Sequence, residues 1–113
     1  MALTAEWIEA ATWADFAEAR TLTRKLGGFD VLLCRLGSRD AVAFQNRCTH
    51  LGHALDGGRI FGGQLTCPFH GACFDLRSGA ALSGPAVLPL RRFALRFEDD
   101  RILVQLPREF AGL

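Results

Sequence analysis

No tyrosine occurs in this 113-residue sequence, histidine appears only three times, and no run of Lys or Arg stands anywhere in it. Basic residues adjoin only in the pairs Arg24-Lys25 and Arg91-Arg92, and 13 basic against 12 acidic side chains leave a formal net charge of +1. A nucleic acid demands a concentrated basic surface to neutralise its phosphates, so no nucleic-acid partner is expected. The same near-neutral balance predicts only weak long-range steering toward a charged partner. No window approaches the roughly 18–20 uninterrupted apolar residues of a membrane-spanning helix. The opening Met1-Ala-Leu-Thr-Ala-Glu-Trp7 lacks the basic n-region and apolar core of a secretory signal, and no twin-arginine stretch precedes it. The expectation is a cytoplasmic protein with no membrane association. In that reducing compartment the four cysteines read as ligands or buried thiols.

Repeats, low-complexity tracts and long linkers are missing too, so residues 1–113 read as one domain of ordinary size. Half the residues are hydrophobic and 22% are charged, the balance of a globular protein that needs no staples to fold. Strand signals fill most of the chain. Val31-Leu-Leu-Cys-Arg-Leu36 and Ala41-Val-Ala-Phe44 are apolar runs of strand length, separated by the turn Gly37-Ser-Arg-Asp40. Near the C-terminus Phe93, Leu95 and Phe97 alternate with Arg92, Ala94 and Arg96, and Ile102, Val104 and Leu106 resume the alternation after Glu98-Asp-Asp100. That pattern predicts a hairpin with one buried face. Thr12-Trp-Ala-Asp15 has the form of a capping box and predicts one or two helical turns. Between Cys48 and Pro89 the glycines crowd together, which predicts tight turns with little regular structure. Strand-rich flanks around a glycine-rich insert describe an all-β domain that presents a loop-built site.

The chemistry-bearing residues lie in that insert. Asn46-Arg-Cys48-Thr-His50-Leu-Gly-His53 is followed by Cys67-Pro-Phe-His70-Gly-Ala-Cys-Phe-Asp75, a Cys-x-His-x16-Cys-x2-His spacing. Each half offers one thiolate and one imidazole from a short loop. Two equivalent loops facing one another can give two sulfurs to one iron and two nitrogens to the other, the ligation of a Rieske-type [2Fe–2S] centre. Cys48, His50, Cys67 and His70 are therefore the candidate metal ligands. Gly52 and Gly71, beside them, let backbone N–H groups turn toward the cluster sulfurs and stabilise their negative charge. Structural zinc is the bland alternative for such a set. Zinc knuckles, however, usually pair Cys-x2–4-Cys or His-x3–5-His, and Cys-x-His leaves little chain between ligands.

Cys48-Thr-His-Leu-Gly-His-Ala-Leu55 and Cys67-Pro-Phe-His-Gly-Ala-Cys-Phe-Asp-Leu-Arg-Ser-Gly79 resemble the two cluster-binding boxes of Rieske proteins. Ser83-Gly-Pro-Ala-Val-Leu-Pro-Leu90 resembles the proline-bearing loop that covers the cluster in that family. With the flanking strands, the resemblance runs over nearly the whole chain. It implies an antiparallel β-sandwich base with an inserted cluster-binding subdomain at about residues 47–90. In the respiratory bc-complex branch each box carries an extra cysteine and the two form a disulfide; here those positions are His53 and Phe69. That branch also places serine and tyrosine hydroxyls near the cluster, where this sequence has Ala72 and Phe74. Fewer hydrogen bonds to sulfur stabilise the reduced state less, so a potential near the low end of the Rieske range is expected, roughly −150 mV. The resemblance implies a soluble ferredoxin of a bacterial aromatic-ring dioxygenase system: a monomeric one-electron carrier between a flavoprotein reductase and a terminal oxygenase. The alternatives are a small Rieske subunit held permanently on an enzyme, such as an assimilatory nitrite reductase, or a redox sensor.

An oxygenase would need a second iron on two histidines and a carboxylate. Once His50 and His70 are assigned, only His53 remains, so no catalysis on a substrate is expected. His53 reads as a polar bystander at the cluster loop, or as part of a partner surface formed with Leu51, Gly52, Pro68, Phe69, Gly71 and Pro85. Cys34 and Cys73 read as packed thiols, Trp7 and Trp13 as core anchors, and Asp75 as a turn residue.

Overall fold

The computed structural model describes residues 5–17, 19–49, 52–69, 71–83 and 88–107. Its architecture follows from the apolar run Val31-Leu32-Leu33-Cys34. Successive side chains of a strand point to opposite faces, so an unbroken apolar run must be covered on both. Strand β3 (Phe29–Gly37) sends Val31 and Leu33 into one core and Leu32 and Cys34 into another, and all four are fully buried. Its neighbour β4 (Asp40–Gln45) divides the same way, with Ala41 and Ala43 on the first side and Val42 and Phe44 on the second. The two pair with Leu33 opposite Ala43 and Cys34 opposite Val42. Strand β2 (Thr21–Leu26) joins β3 through Gly27-Gly28, and the two-residue strand β9 (Arg92–Phe93) adds to β4. The four-stranded sheet β2-β3-β4-β9 is thus a wall shared by two cores.

On its first side lies a three-stranded sheet made from both ends of the chain. Strand β1 (Ala5–Thr12) and strand β10 (Leu95–Glu98) flank β11 (Arg101–Pro107), all antiparallel. Ile102, Val104 and Leu106 of β11 bury against Val31, Leu33 and Phe93. One helical turn, α1 (Trp13–Phe16), plugs the end of this core with its two aromatic rings. The Asp15 carboxylate accepts the Thr12 N–H at 2.9 Å, as the capping pattern predicts, and that bond holds its pKa below the usual carboxylate value.

The predicted hairpin forms, β10 pairing with β11 from Leu95 opposite Val104 to Glu98 opposite Arg101, but the start of its first strand belongs to another sheet. Phe93 pairs with Ala43 in the wall, whereas Leu95 pairs with Val104 in the outer sheet. The chain crosses at Ala94, whose carbonyl accepts the Gln105 N–H at 2.9 Å. Because the strand turns this corner, its alternating residues do not share one buried face: Phe93 is 3% exposed and Phe97 is 42% exposed, lying against the Trp13 ring.

On the second side of the wall, the glycine-rich middle is more regular than its composition suggests. It holds a four-stranded antiparallel meander: β5 (Arg59–Phe61), β6 (Gln64–Thr66), β7 (Cys73–Asp75) and β8 (Ala81–Ser83). Strands of three residues are too short to display alternation in the sequence. Leu65 and Phe74, opposite one another, bury this small sheet against Leu32, Phe44 and Leu90. No helix among the described residues is long and apolar enough to cross a membrane.

Candidate metal centre

Two loops extend from this second core. The first, around Cys48, connects β4 to β5; the second, around Cys67, connects β6 to β7. Their backbones close identically. Cys48 N–H donates to the His53 carbonyl at 2.7 Å, and Cys67 N–H to the Ala72 carbonyl at 2.7 Å. Gly52 N–H donates to the Cys48 carbonyl at 2.8 Å, and Gly71 N–H to the Cys67 carbonyl at 3.1 Å. Gly52 and Gly71 both take a left-handed conformation, φ 80° and 75°, which glycine adopts without a steric cost. The repeat is registered on the cysteines, although His50 follows its cysteine by two residues and His70 by three.

Cys48 and Cys67 are 1% and 2% exposed, and both belong to the core that contains Leu55, Leu65 and Ala72. Neither forms a disulfide. His50 and His70 lie outside the described residues, as do Leu51 and Gly84-Pro85-Ala86-Val87 of the expected cover. Two buried thiols at the heads of equivalent loops, each with a histidine two or three residues on, fit a cluster that takes two sulfur and two nitrogen ligands.

The loops are braced on three sides. His53 and Phe69, at the positions where the bc-complex branch carries its extra cysteines, stack with ring centroids 4.4 Å apart and planes 25° from parallel. Asn46 spans the neck of the first loop: its Oδ1 accepts the N–H groups of Leu55 at 2.6 Å and Asp56 at 3.1 Å, while its Nδ2 donates to Asp56 Oδ1 at 2.9 Å. Thr49 Oγ1 donates to the Leu88 carbonyl at 2.7 Å, tying the same loop to the returning chain. Neither Asn46 nor Thr49 stands out in the sequence. Asn46 offers one signal, an amide two residues before a candidate ligand cysteine, able to hydrogen-bond nearby backbone groups.

The other cysteines separate. Cys34 is fully buried, and burial pushes its thiol up to about 12, as befits a packed side chain. Cys73 is half-buried rather than packed; its Sγ lies 3.4 Å from Thr66 Oγ1 and donates to the Gly71 carbonyl at 3.7 Å. It opens β7, an inner strand of the meander paired with both β6 and β8, directly after the second loop, where its side chain is only partly covered. Asp75 is a turn residue: Oδ2 accepts the Ser78 N–H and Oγ–H at 2.8 Å and the Arg77 N–H at 3.1 Å. These bonds, the Ser78 N–H foremost, hold its pKa below the usual carboxylate value. Trp13 is a core anchor, whereas Trp7 is half-buried beneath Arg96, whose guanidinium lies 4.5 Å from its ring centroid. Ala72 and Phe74 are fully buried and place no hydroxyl beside the loops.

The model of the Rieske [2Fe-2S] domain matches residues 6–94. The chain belongs to the Rieske [2Fe–2S] family. The ferredoxin component of biphenyl 2,3-dioxygenase from Rhodococcus jostii is 35% identical over 92 residues, covering 81% of this chain and 85% of that protein. The ferredoxin of carbazole 1,9a-dioxygenase from Nocardioides aromaticivorans superposes with a TM-score of 0.80 at 29% identity, over 87% of this chain and 95% of that one. A chain from the complex of reduced oxygenase and oxidized ferredoxin in carbazole 1,9a-dioxygenase gives 0.78 at 25% identity, over 87% and 91%. This Rieske domain carries one [2Fe–2S] cluster per chain, and the antiparallel all-β fold is that of the Rieske ferredoxins.

Proposed function

We propose that this Rieske protein is a soluble, monomeric, cytoplasmic one-electron carrier, accepting electrons from a flavoprotein reductase and delivering them to a terminal ring-hydroxylating oxygenase. Cys48 and Cys67 hold one iron through sulfur, and His50 and His70 hold the other through nitrogen. The observation that carries this reading is the matched closure of two loops around two buried thiols. The bound cluster supplies reversible one-electron chemistry. The chain's own work is to bury the sulfur side, to hold the two loops together through the His53–Phe69 stack, and to leave the loop tips open to a partner. Pro68, Phe69 and Gly71 are exposed there, and Gly52 and His53 half-exposed, an area suited to brief docking. Residues 1–113 act as one domain, with about 47–90 as the cluster-binding part. Catalysis on a substrate is left to the partner. The relatives named above are ferredoxin components of dioxygenase systems, and one structural neighbour comes from a complex with an oxygenase, which supports this division.

The test is iron analysis with EPR before and after dithionite. Two irons per chain, silence when oxidised and a rhombic signal of low average g on reduction are expected. A protein that binds a single zinc and gives no such signal after anaerobic iron–sulfur reconstitution overturns the proposal.

A further inference from the structure

Gly58 is a glycine that its backbone conformation does not require. Gly52, Gly57 and Gly71 take φ of 80°, 91° and 75°, where glycine is favoured, whereas Gly58 lies outside that region. What Gly58 lacks is room. A β-carbon there would overlap the Thr66 carbonyl oxygen, lie 2.8 Å from the Leu55 carbonyl oxygen and press on Leu65 Cδ1 at 3.3 Å. Leu65 Cδ1 ends a side chain that can turn away. The two carbonyls are fixed in planar peptide units and move only with the chain that carries them. Gly57, one residue earlier, has open space where its β-carbon would stand.

Those two carbonyls belong to different loops. Leu55 lies on the way out of the first, two residues after His53, whose carbonyl closes on the Cys48 N–H. Thr66 stands at the entrance of the second, immediately before Cys67. Leu55-Asp-Gly-Gly58 forms one tight turn, in which the Gly58 N–H donates to the Leu55 carbonyl at 2.9 Å. Asn46 grips the start of this turn through the N–H groups of Leu55 and Asp56. From Gly58 the chain enters β5, where Arg59 stands opposite Thr66. The His53–Phe69 stack joins the two loops through side chains; at Gly58 backbone meets backbone, with nothing between them to adjust.

We infer that Gly58 is a positioning residue, which sets how closely the two cysteine-bearing loops approach one another. Through that spacing it governs the hydrogen bonding and solvent exposure on which the potential of such a centre depends. The inference rests on the cluster-carrier reading above and adds the residue that fixes the spacing of the site. An alanine at 58 must push Thr66, and Cys67 with it, away from Leu55. Removing the Asn46 amide acts on the same turn from its other end, loosening the spacing without adding an atom to it.

The test compares holoproteins by potentiometric titration and by EPR of the reduced state. Gly58→Ala should shift both the midpoint potential and the g values beyond the scatter of repeat titrations and spectra. It should also release iron to a chelator about tenfold faster, as expected when a group that holds metal-binding segments in place is disturbed. Asn46→Ala should shift the potential and the g values too, and it decides the matter if Gly58→Ala takes up no cluster. Gly57→Ala is the control: its φ of 91° strains an alanine and should lower the urea midpoint, with wild-type potential and g values. Wild-type potential and g values in Gly58→Ala, or in Asn46→Ala where the first variant holds no cluster, overturn the inference alone. Shifts in Gly57→Ala as large as those in Gly58→Ala overturn it as well. A wild-type protein without the Rieske signal overturns the carrier reading and this inference with it.

Discussion

Leu32 and Leu33 are neighbours in one strand, yet they support different halves of the molecule. Leu33 packs into the base, where β1 and β11 pair from Ala5 opposite Pro107 to Thr12 opposite Arg101. Leu32 packs into the cluster end, where each strand of the meander is three residues long and glycine turns take up much of the chain. The base rests on long ladders of backbone hydrogen bonds and a core closed by Trp13 and Phe16. The cluster end has a smaller framework, the Asn46 bracket, the ring stack and the metal. Precision of the loops is thus achieved by seating a lightly built end on a wall that the base already holds rigid.

The largest separation between the halves comes from the proposed ligands. Cys48→Ser and Cys67→Ser should each abolish the cluster, read as loss of iron and of the reduced EPR signal. Hydrogen exchange should then rise at the loops and meander while β1, β3 and β11 stay protected, because metal binding is linked to the folding of the segment that holds it. Protection lost evenly across both halves would show that the base depends on the metal too.

Leu32→Ala and Leu33→Ala sharpen the comparison within a single strand. Each removes a fully buried side chain and should cost about 2–5 kcal/mol in denaturant unfolding. Only Leu32→Ala should also speed the release of iron to a chelator.

Alkali separates the halves through Cys34, which faces the cluster end. Its thiol is raised from the ordinary value of 9.0 to about 12 in the fold. The folded state therefore keeps a proton that the unfolded chain loses above pH 9, and stability present below that point declines as pH rises toward 12. By about pH 11 the loss attributable to this thiol is about 3 kcal/mol. Cys34→Ala should show a shallower decline in its urea midpoint over that range and an unaltered cluster spectrum at neutral pH.

The smallest effect belongs to the clasp. Phe69→Ala removes the partner of the His53 ring and should ease local opening of the two loops by about 1 kcal/mol, read as faster loss of iron with little change in the global midpoint. Phe69→Trp should restore retention.

Much of this was legible from residue types. The Cys-x-His and Cys-x2-His boxes marked both loops because few chemistries use that spacing, and Val31 to Cys34 marked a strand because apolar residues without alternation need cover on both faces. What stayed hidden depended on contacts between distant segments. Nothing local distinguishes Ala94 as a corner, since Phe93 and Leu95 choose their sheets by pairing with Ala43 and Val104. The meander was obscured because its strands are shorter than the pattern that reveals a strand. The bracing role of Thr49 requires the Leu88 carbonyl, 39 residues away.

The His53–Phe69 stack has one more consequence. A pair of rings has no oxidised and reduced forms, so the fastening between the loops stores no electrons and offers nothing for a thiol to exchange with. Reagents strong enough to reduce the cluster leave this fastening in place. A redox titration of the intact protein should therefore follow a single one-electron curve, with identical forward and return traces in the presence or absence of dithiothreitol.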